Sequence, residues 1–210
     1  MKKDTVNIEH KDFSWISSLN LTFSRNKLLE FPNLDSSTYS NIYQIGEPLN
    51  IRKVYHFTGV DSATGLYTFE DYDGDGAITF NGDRKMIKDL NPDYFGGLLN
   101  QFRYQQFQLD FLFQFVKQEN YNSTGFFAPP GFQSQQPTTV LNHWQNSGDV
   151  AQHQLYTTGA NGDAANAASR YNDSDAAISD ASYIRLKNIS LSYRLPASWT
   201  KNVQCKLYFE

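Results

Sequence analysis

The sequence is poor in the residues that form covalent cross-links and catalytic clusters. Its 210 residues include one cysteine, Cys205, which excludes an internal disulfide framework and a Cys-x-x-Cys metal site. The four histidines lie scattered along the chain, at His10, His56, His143 and His153. Their spacing, like that of the serines and aspartates, indicates no catalytic group. We therefore expect no enzymatic activity.

Long hydrophobic runs and an excess of one charge are also missing. No stretch approaches the roughly 20 apolar residues of a membrane-spanning helix, and the mean hydropathy is −0.56. The 18 basic and 22 acidic residues leave a net charge of −4 without a basic stripe, so we expect no nucleic-acid partner. The first ten residues carry lysines but no apolar segment after them, so no signal peptide is visible.

Aromatic residues, by contrast, make up 15 % of the chain, and many of them alternate with polar residues. This period of 2 is typical of β-strands. It predicts strands at residues 13–23, 97–104, 107–115, 182–195 and 203–209. In the third strand the apolar face holds Phe107, Leu109, Phe111, Phe113 and Phe115, and the polar face holds Gln108, Asp110 and Gln114. Trp15, Tyr183 and Tyr193 are candidates for anchors at a membrane–water interface.

The lengths of the connections point to a membrane barrel. Tight turns are predicted at residues 10–12 and 104–107, and two long segments lie at about residues 27–95 and 118–181. Such long loops are uncommon in compact soluble domains. Transmembrane β-barrels, however, combine short periplasmic turns with long extracellular loops. We therefore predict an all-β fold, an antiparallel up-and-down meander that is part of a transmembrane barrel. A soluble β-sandwich is the alternative.

The most acidic stretch, residues 70–84, reads EDYDGDGAITFNGDR and follows the first half of a calcium loop. The candidate metal ligands are the carboxylates of Asp71, Asp73, Asp75 and Asp83 and the carbonyl of Ala77. The twelfth loop position is Gly82, so the last acid comes one residue late. Two interpretations stay open: a site for Ca²⁺ or Mg²⁺, and a turn held by its own hydrogen bonds without metal.

The second long segment contains aromatic side chains that suit a partner or a sugar face. The candidates are Phe126, Phe127, Phe132, His143 and Trp144. They lie among Asn, Gln, Gly, Ser and Ala residues with almost no periodicity. Packing within the loop itself is the alternative. Because short turns mark the periplasmic side of a barrel, we expect this segment on the outer side.

Four segments of the chain together carry a family resemblance. Residues 91–115 read NPDYFGGLLNQFRYQQFQLDFLFQF, residues 181–196 read ASYIRLKNISLSYRLP, and residues 13–31 read FSWISSLNLTFSRNKLLEF. The acidic loop lies in the fourth, residues 45–92. In their order along the chain, these segments resemble segments of the SusC/RagA-type TonB-linked outer-membrane transporters. One of the family segments reads P-x-x-x-G-G-L-x-N-x-F-x-Y-K-x-F-x-L. Gln105 stands where the family often has lysine.

The resemblance implies that residues 1–210 are a C-terminal barrel segment, without the plug domain and the final strand of the family. It implies an outer-membrane transporter that imports glycan oligosaccharides, or less often peptides. Its partners would be a SusD-like surface lipoprotein, the surrounding lipid, and TonB through the missing N-terminal part. This chain alone should then not transport. Two alternatives are a soluble calcium-dependent β-sandwich binding module and a siderophore receptor of the wider TonB-dependent class.

Overall fold

The computed structural model describes residues 2–196, so Cys205 and the strand predicted at 203–209 lie outside the described residues. The chain divides into two compact units. Within the described residues, the sheet unit comprises residues 2–23, 92–117 and 182–196, and the loop unit comprises Ser24–Asn91 and Gln118–Ala181.

The strands and helices follow one another in this order: β1 (Lys2–His10), β2 (Phe13–Thr22), β3 (Ile51–Val54), β4 (Phe57–Val60), β5 (Tyr67–Phe69), α1 (Phe80–Asp83), β6 (Met86–Asp89), β7 (Tyr94–Tyr104), β8 (Phe107–Lys117), β9 (Glu119–Tyr121), α2 (Gly162–Asn172), β10 (Ile178–Asp180) and β11 (Tyr183–Tyr193). Short 3₁₀ turns lie between several of them. None of the helices in residues 2–196 has the length and apolar character needed to cross a membrane.

The sheet unit is a five-stranded antiparallel sheet in the order β1-β2-β7-β8-β11. The predicted meander is therefore confirmed. Tight turns join β1 to β2 and β7 to β8 at one end of the sheet, and Gln105 in the second turn adopts a left-handed φ of 51°. At the other end Thr22 pairs with Phe95, and Tyr94 pairs with Lys117. Both long segments therefore leave from the end opposite the tight turns.

A bulge keeps the apolar side chains of β11 on one face. Ile184 and Leu186 pair with the apolar positions Phe115 and Phe113 of β8. The register then shifts by one residue, and Ile189, Leu191 and Tyr193 continue on the same face opposite Phe111, Leu109 and Phe107. In the sequence, the apolar residues of β11 change from even positions (184 and 186) to odd positions (189, 191 and 193). The extra residue of the bulge reverses the alternation between the two faces and therefore returns the odd positions to the apolar face. β8 and β11 thus share one apolar face along their whole length.

A polar group interrupts the apolar face across three strands. Asn100 of β7 is 7 % exposed, and its Oδ1 accepts hydrogen bonds from Trp15 Nε1 (3.0 Å) and Ser17 Oγ (2.7 Å). Ser17 Oγ in turn accepts one from Asn7 Nδ2 at 2.7 Å, where the register of β1 shifts. Because buried polar groups need partners, this chain of bonds allows Asn100 to lie on an apolar face.

The loop unit has its own aromatic core. Tyr55, Tyr67, Phe69 and Ala167 are buried together, and the rings of Tyr67 and Tyr171 stack with centroids 4.4 Å apart. The unit also contains three two-stranded sheets: β3 with β6, β4 with β5, and β9 with β10. The second long segment therefore contributes to a folded unit, in which strand pairs and a helix replace much of the expected loop.

α2 was not predicted from the sequence, because it lies in the segment expected to lack periodic structure. Its buried positions are Ala164, Ala167 and Ala168, spaced as one face of a helix. Alanine is a strong helix former but only weakly hydrophobic, so the pattern is hard to see in the sequence. The Asn161 side chain caps the helix by accepting a hydrogen bond from Ala164 N at 3.1 Å.

Candidate functional site

The sequence-predicted site residues fall into two groups within the loop unit. The first is the acidic loop between β5 and α1. There the structure brings together the carboxylates of Asp71, Asp73 and Asp83, with one oxygen of each within 4.8 Å of the others. Oxygen ligands at such spacing suit a hard divalent cation. These three residues could therefore hold Ca²⁺ or Mg²⁺.

Asp83 has the most fixed position in the acidic loop. It is fully buried at the end of α1. Its Oδ1 accepts a hydrogen bond from Tyr72 N at 2.7 Å, and its Oδ2 accepts one from Thr79 N at 2.6 Å. These donors, that of Thr79 above all, lower the pKa of Asp83 and keep it ionised. The carboxylate thus ties both ends of the loop together and stays negative.

The other acidic side chains support the loop backbone. Asp71 accepts hydrogen bonds from Gly74 N at 2.8 Å and Gly76 N at 2.9 Å. Asp75 Oδ1 accepts one from Ala77 N at 2.8 Å, and Asp75 lies outside the group of three carboxylates. These bonds are the self-contained turn that the sequence offered as an alternative to a metal site. The loop therefore combines these hydrogen bonds with the group of three carboxylates.

Electrostatic repulsion is concentrated at Asp73. The hydrogen bond from Asp75 N lowers the pKa of Asp73, but partial removal from water and three neighbouring carboxylates outweigh it and raise the pKa above the ordinary value. Those neighbours are Asp75, Asp83 and Asp71, in order of effect. A bound cation would relieve this repulsion.

The second group of predicted residues divides between packing and exposure. Phe126 is 88 % exposed, whereas Phe127 lines a small cavity. Phe132 is partly exposed, and its ring lies over Gly159. Trp144 Nε1 donates to Ser62 O at 2.9 Å, and its indole covers Gly65 so closely that a Cβ there would overlap it. Of these four residues, Phe126 presents the freest aromatic surface.

His143 and His153 are ten apart in sequence but adjacent in the fold. A short bridge joins their backbones, and the His143 ring stacks on Tyr156 with centroids 3.5 Å apart. His153 Nδ1 lies 3.0 Å from the Tyr67 hydroxyl. Burial, and secondly the proximity of His143, lower the pKa of His153. His153 is therefore neutral at physiological pH.

Tyr67 and Tyr171 also line the small cavity, and the sequence analysis did not identify them as site residues. They belong to β5 and to α2, which are far apart in the chain. The prolines at 129, 130 and 137 line the same cavity. No pattern within one segment predicts that these side chains meet.

The five-stranded antiparallel sheet, with tight turns at one end and both long segments at the other, defines the class of fold: part of the wall of a transmembrane β-barrel. Among curated proteins, the chain is 29 % identical over 221 residues to TonB-dependent receptor P3 of Formosa agariphila, covering 92 % of this chain and 21 % of the receptor. No protein-family model matches the chain. The similarity to a TonB-dependent receptor bears out the predicted resemblance to TonB-linked outer-membrane transporters.

Solved structures of the RagAB peptide importer share the fold. The chain matches its "open-open" state with a TM-score of 0.72 and 19 % identity, covering 97 % of this chain and 22 % of that chain. It matches the "closed-closed" state with a TM-score of 0.66 and 20 % identity, covering 97 % and 23 %. This likeness confirms an antiparallel partial barrel and sets the β-sandwich aside. The relatives are receptors and importers, not enzymes. The chain spans about a fifth of their length.

Proposed function

We propose that this chain is part of an outer-membrane active transporter that imports glycan oligosaccharides, with peptides as the alternative cargo. A SusD-like lipoprotein covers the outer mouth, and TonB supplies energy through a part of the transporter outside this chain. The apolar face shared by β8 and β11 is the observation that carries this proposal. On β11, Ile184, Ile189 and Leu191 are 77 %, 62 % and 70 % exposed, as expected of side chains that contact lipid.

The strand lengths support the membrane location. β7, β8 and β11 each have 11 residues. At about 3.3 Å per residue such a strand is about 36 Å long. Tilted by about 45°, it rises about 26 Å, which matches the apolar band of roughly 25 Å around an outer-membrane barrel. The long segments then emerge together on one side of the membrane, where a lid lipoprotein and cargo are accessible.

The second long segment favours an uncharged cargo. Between residues 121 and 160, Asp149 is the only aspartate, glutamate, lysine or arginine. The amides, hydroxyls and aromatic rings of this part of the segment suit the hydroxyl groups and apolar faces of sugars better than the charged ends of peptides. This composition is the reason for placing oligosaccharides first.

The test is uptake by cells that carry or lack the full-length transporter. We expect cells with the transporter to take up a fluorescent oligosaccharide and deletion cells to lose that uptake. A fluorescent peptide of similar length serves as the second arm. Uptake of the peptide alone would assign peptides as the cargo, and unchanged uptake of both in deletion cells would contradict import by this protein.

We also propose that the acidic loop holds Ca²⁺ or Mg²⁺ as a structural ion. The ligands are Asp71, Asp73 and Asp83, with Asp75 and the Ala77 carbonyl as further candidates. Three carboxylates within 4.8 Å support this proposal, as does the raised pKa of Asp73. The ion would join the loop between β5 and α1 to the end of α1 and would stiffen this part of the loop unit.

Calorimetry on the full-length transporter tests the ion. We expect Ca²⁺ binding in the millimolar range or tighter, lost in Asp73→Asn because that carboxylate is central to the repulsion. Asp35→Asn, an exposed site elsewhere in the loop unit, should leave binding unchanged. Asp75→Asn distinguishes a site formed by Asp71, Asp73 and Asp83 alone from a calcium-loop arrangement. Only the calcium-loop arrangement requires the Asp75 carboxylate, so only there should Asp75→Asn weaken binding. The absence of heat at millimolar Ca²⁺ would reject the ion.

A further inference from the structure

The cavity between β5, α2 and the proline-rich part of the second long segment is a small, partly open site. Its volume is about 50 Å³. Its apolar lining includes Phe127, Pro129, Pro130, Pro137, Tyr67 and Tyr171. A cavity of about 150 Å³ accommodates benzene, so this one admits a substituent of a few heavy atoms and excludes a sugar ring.

Hydrogen bonds hold the proline wall in place. Pro130 is buried, and its carbonyl accepts a hydrogen bond from Thr157 N at 2.8 Å. The Gln136 side chain donates from Nε2 to Pro129 O at 2.8 Å and accepts from Gly131 N at 3.1 Å. Rigid rings fixed in this way preserve the shape of the cavity before a ligand arrives, which lowers the cost of binding.

The polar part of the lining carries no formal charge. It consists of Thr124, Asn172 and the neutral His153, which lies against the Tyr67 hydroxyl. Asn172, the last residue of α2, is half-buried, lines the cavity and carries a side-chain amide. An amide of this kind can donate to a carbonyl and accept from an N–H group. The cavity thus combines an apolar pocket with a neutral group able to bond an amide.

We propose that this cavity is a subsite for the acetamido group of an N-acetylated sugar in the imported glycan. The methyl group lies against the prolines and aromatic rings, and the amide lies toward Asn172. Gly131 follows the proline wall in sequence and packs against Tyr156, which is 41 % exposed, and the next residue, Phe132, is 42 % exposed. These rings offer a surface for the attached sugar. The inference rests on the proposed import of glycans and names the substituent that is recognised.

The experiment compares two trisaccharides with the same β-1,4 linkage. Triacetylchitotriose carries acetamido groups and cellotriose carries hydroxyls in their place. By calorimetry on the full-length transporter, we expect triacetylchitotriose to bind about tenfold tighter, because burial of a methyl group adds to an amide hydrogen bond. Ala168→Leu fills the cavity from α2 and should abolish this preference. Ser169→Leu, at the next and exposed position of the helix, should preserve it.

Asn172→Ala provides a second variant, which removes the amide without filling the cavity, and it should reduce the preference severalfold. Equal affinity for both trisaccharides in the unmodified transporter would overturn the inference, as would a preference unaffected by both cavity variants. Tighter binding of trialanine, lost in Ala168→Leu, would assign the cavity to peptide side chains. Glycan uptake that continues without acetamido preference would overturn the subsite and leave the import function intact.

Discussion

Arginine at Phe111 is expected to destabilise the assembled barrel by roughly 2–4 kcal/mol, whereas arginine at Gln108 should be nearly silent. Phe111 lies near the middle of β8 on the apolar face. Its ring stacks on Phe102 at 5.7 Å and meets Phe113 edge-on at 5.5 Å. A guanidinium at this position would have to enter the hydrocarbon layer near its midplane.

Gln108 differs because its side chain lies on the opposite, polar face of the same strand. Its Nε2 donates to Asp110 Oδ2 at 2.8 Å, while Asp110 Oδ1 is buried and has no hydrogen-bond partner among residues 2–196. A guanidinium at position 108 could bond both oxygens of that carboxylate. The expected cost of Gln108→Arg is therefore close to zero, and a small gain in stability is compatible with the geometry.

The measurement is the amount of heat-modifiable full-length transporter in the outer-membrane fraction. Phe111→Ala separates the loss of aromatic packing from the cost of charge, since it removes the ring without adding a cation. We expect Phe111→Arg to be the most damaging of the three variants. Similar losses for Phe111→Arg and Gln108→Arg would contradict the assignment of the two faces, and with it the barrel orientation.

Four of the five strands of the sheet, all except β1, were predicted from sequence because their signal is local. Alternation of side chains along β2 and β8 is a property of consecutive residues, and the tight turns bound it on one side. The bulge in β11 was not predicted, although the alternation of IRLKNISL changes parity at Lys187. That change becomes interpretable only when the partner strand β8 fixes which face is apolar.

The loop unit was much less predictable because its contacts join distant parts of the chain. Asp175 is 119 residues from His56 in the sequence, yet its Oδ2 is 2.7 Å from His56 Nδ1. The acidic loop shows an intermediate case. The calcium-loop spacing identified Asp71 and Asp73, but the turn of α1 brings Asp83 to them in place of the residue at the twelfth position. Sequence spacing predicted a group of four aspartates, and the fold brings three of them together.

Deletion of residues 125–160 from the full-length transporter is expected to leave the barrel inserted while weakening lid association or uptake by about tenfold or more. The strands of the sheet unit pair with one another through β1-β2-β7-β8-β11, and the deleted residues supply none of these pairings. The segment carries Phe126 and Val150, which are 88 % and 97 % exposed. Loops on a rigid scaffold commonly carry recognition, and exposed aromatic residues often dominate binding energy.

The deletion also removes Trp144 and the buried Gln154, whose Nε2 donates to Ala164 O at 2.7 Å, so it will disturb the loop unit itself. A Phe126→Ser, Val150→Ser double variant provides the control, because both side chains project into solvent. We expect this variant to keep the loop unit folded and to reduce co-purification of the lid lipoprotein. Reduced insertion in the deletion would show that the segment is structural. Unchanged uptake in both proteins would show that the segment is dispensable for import.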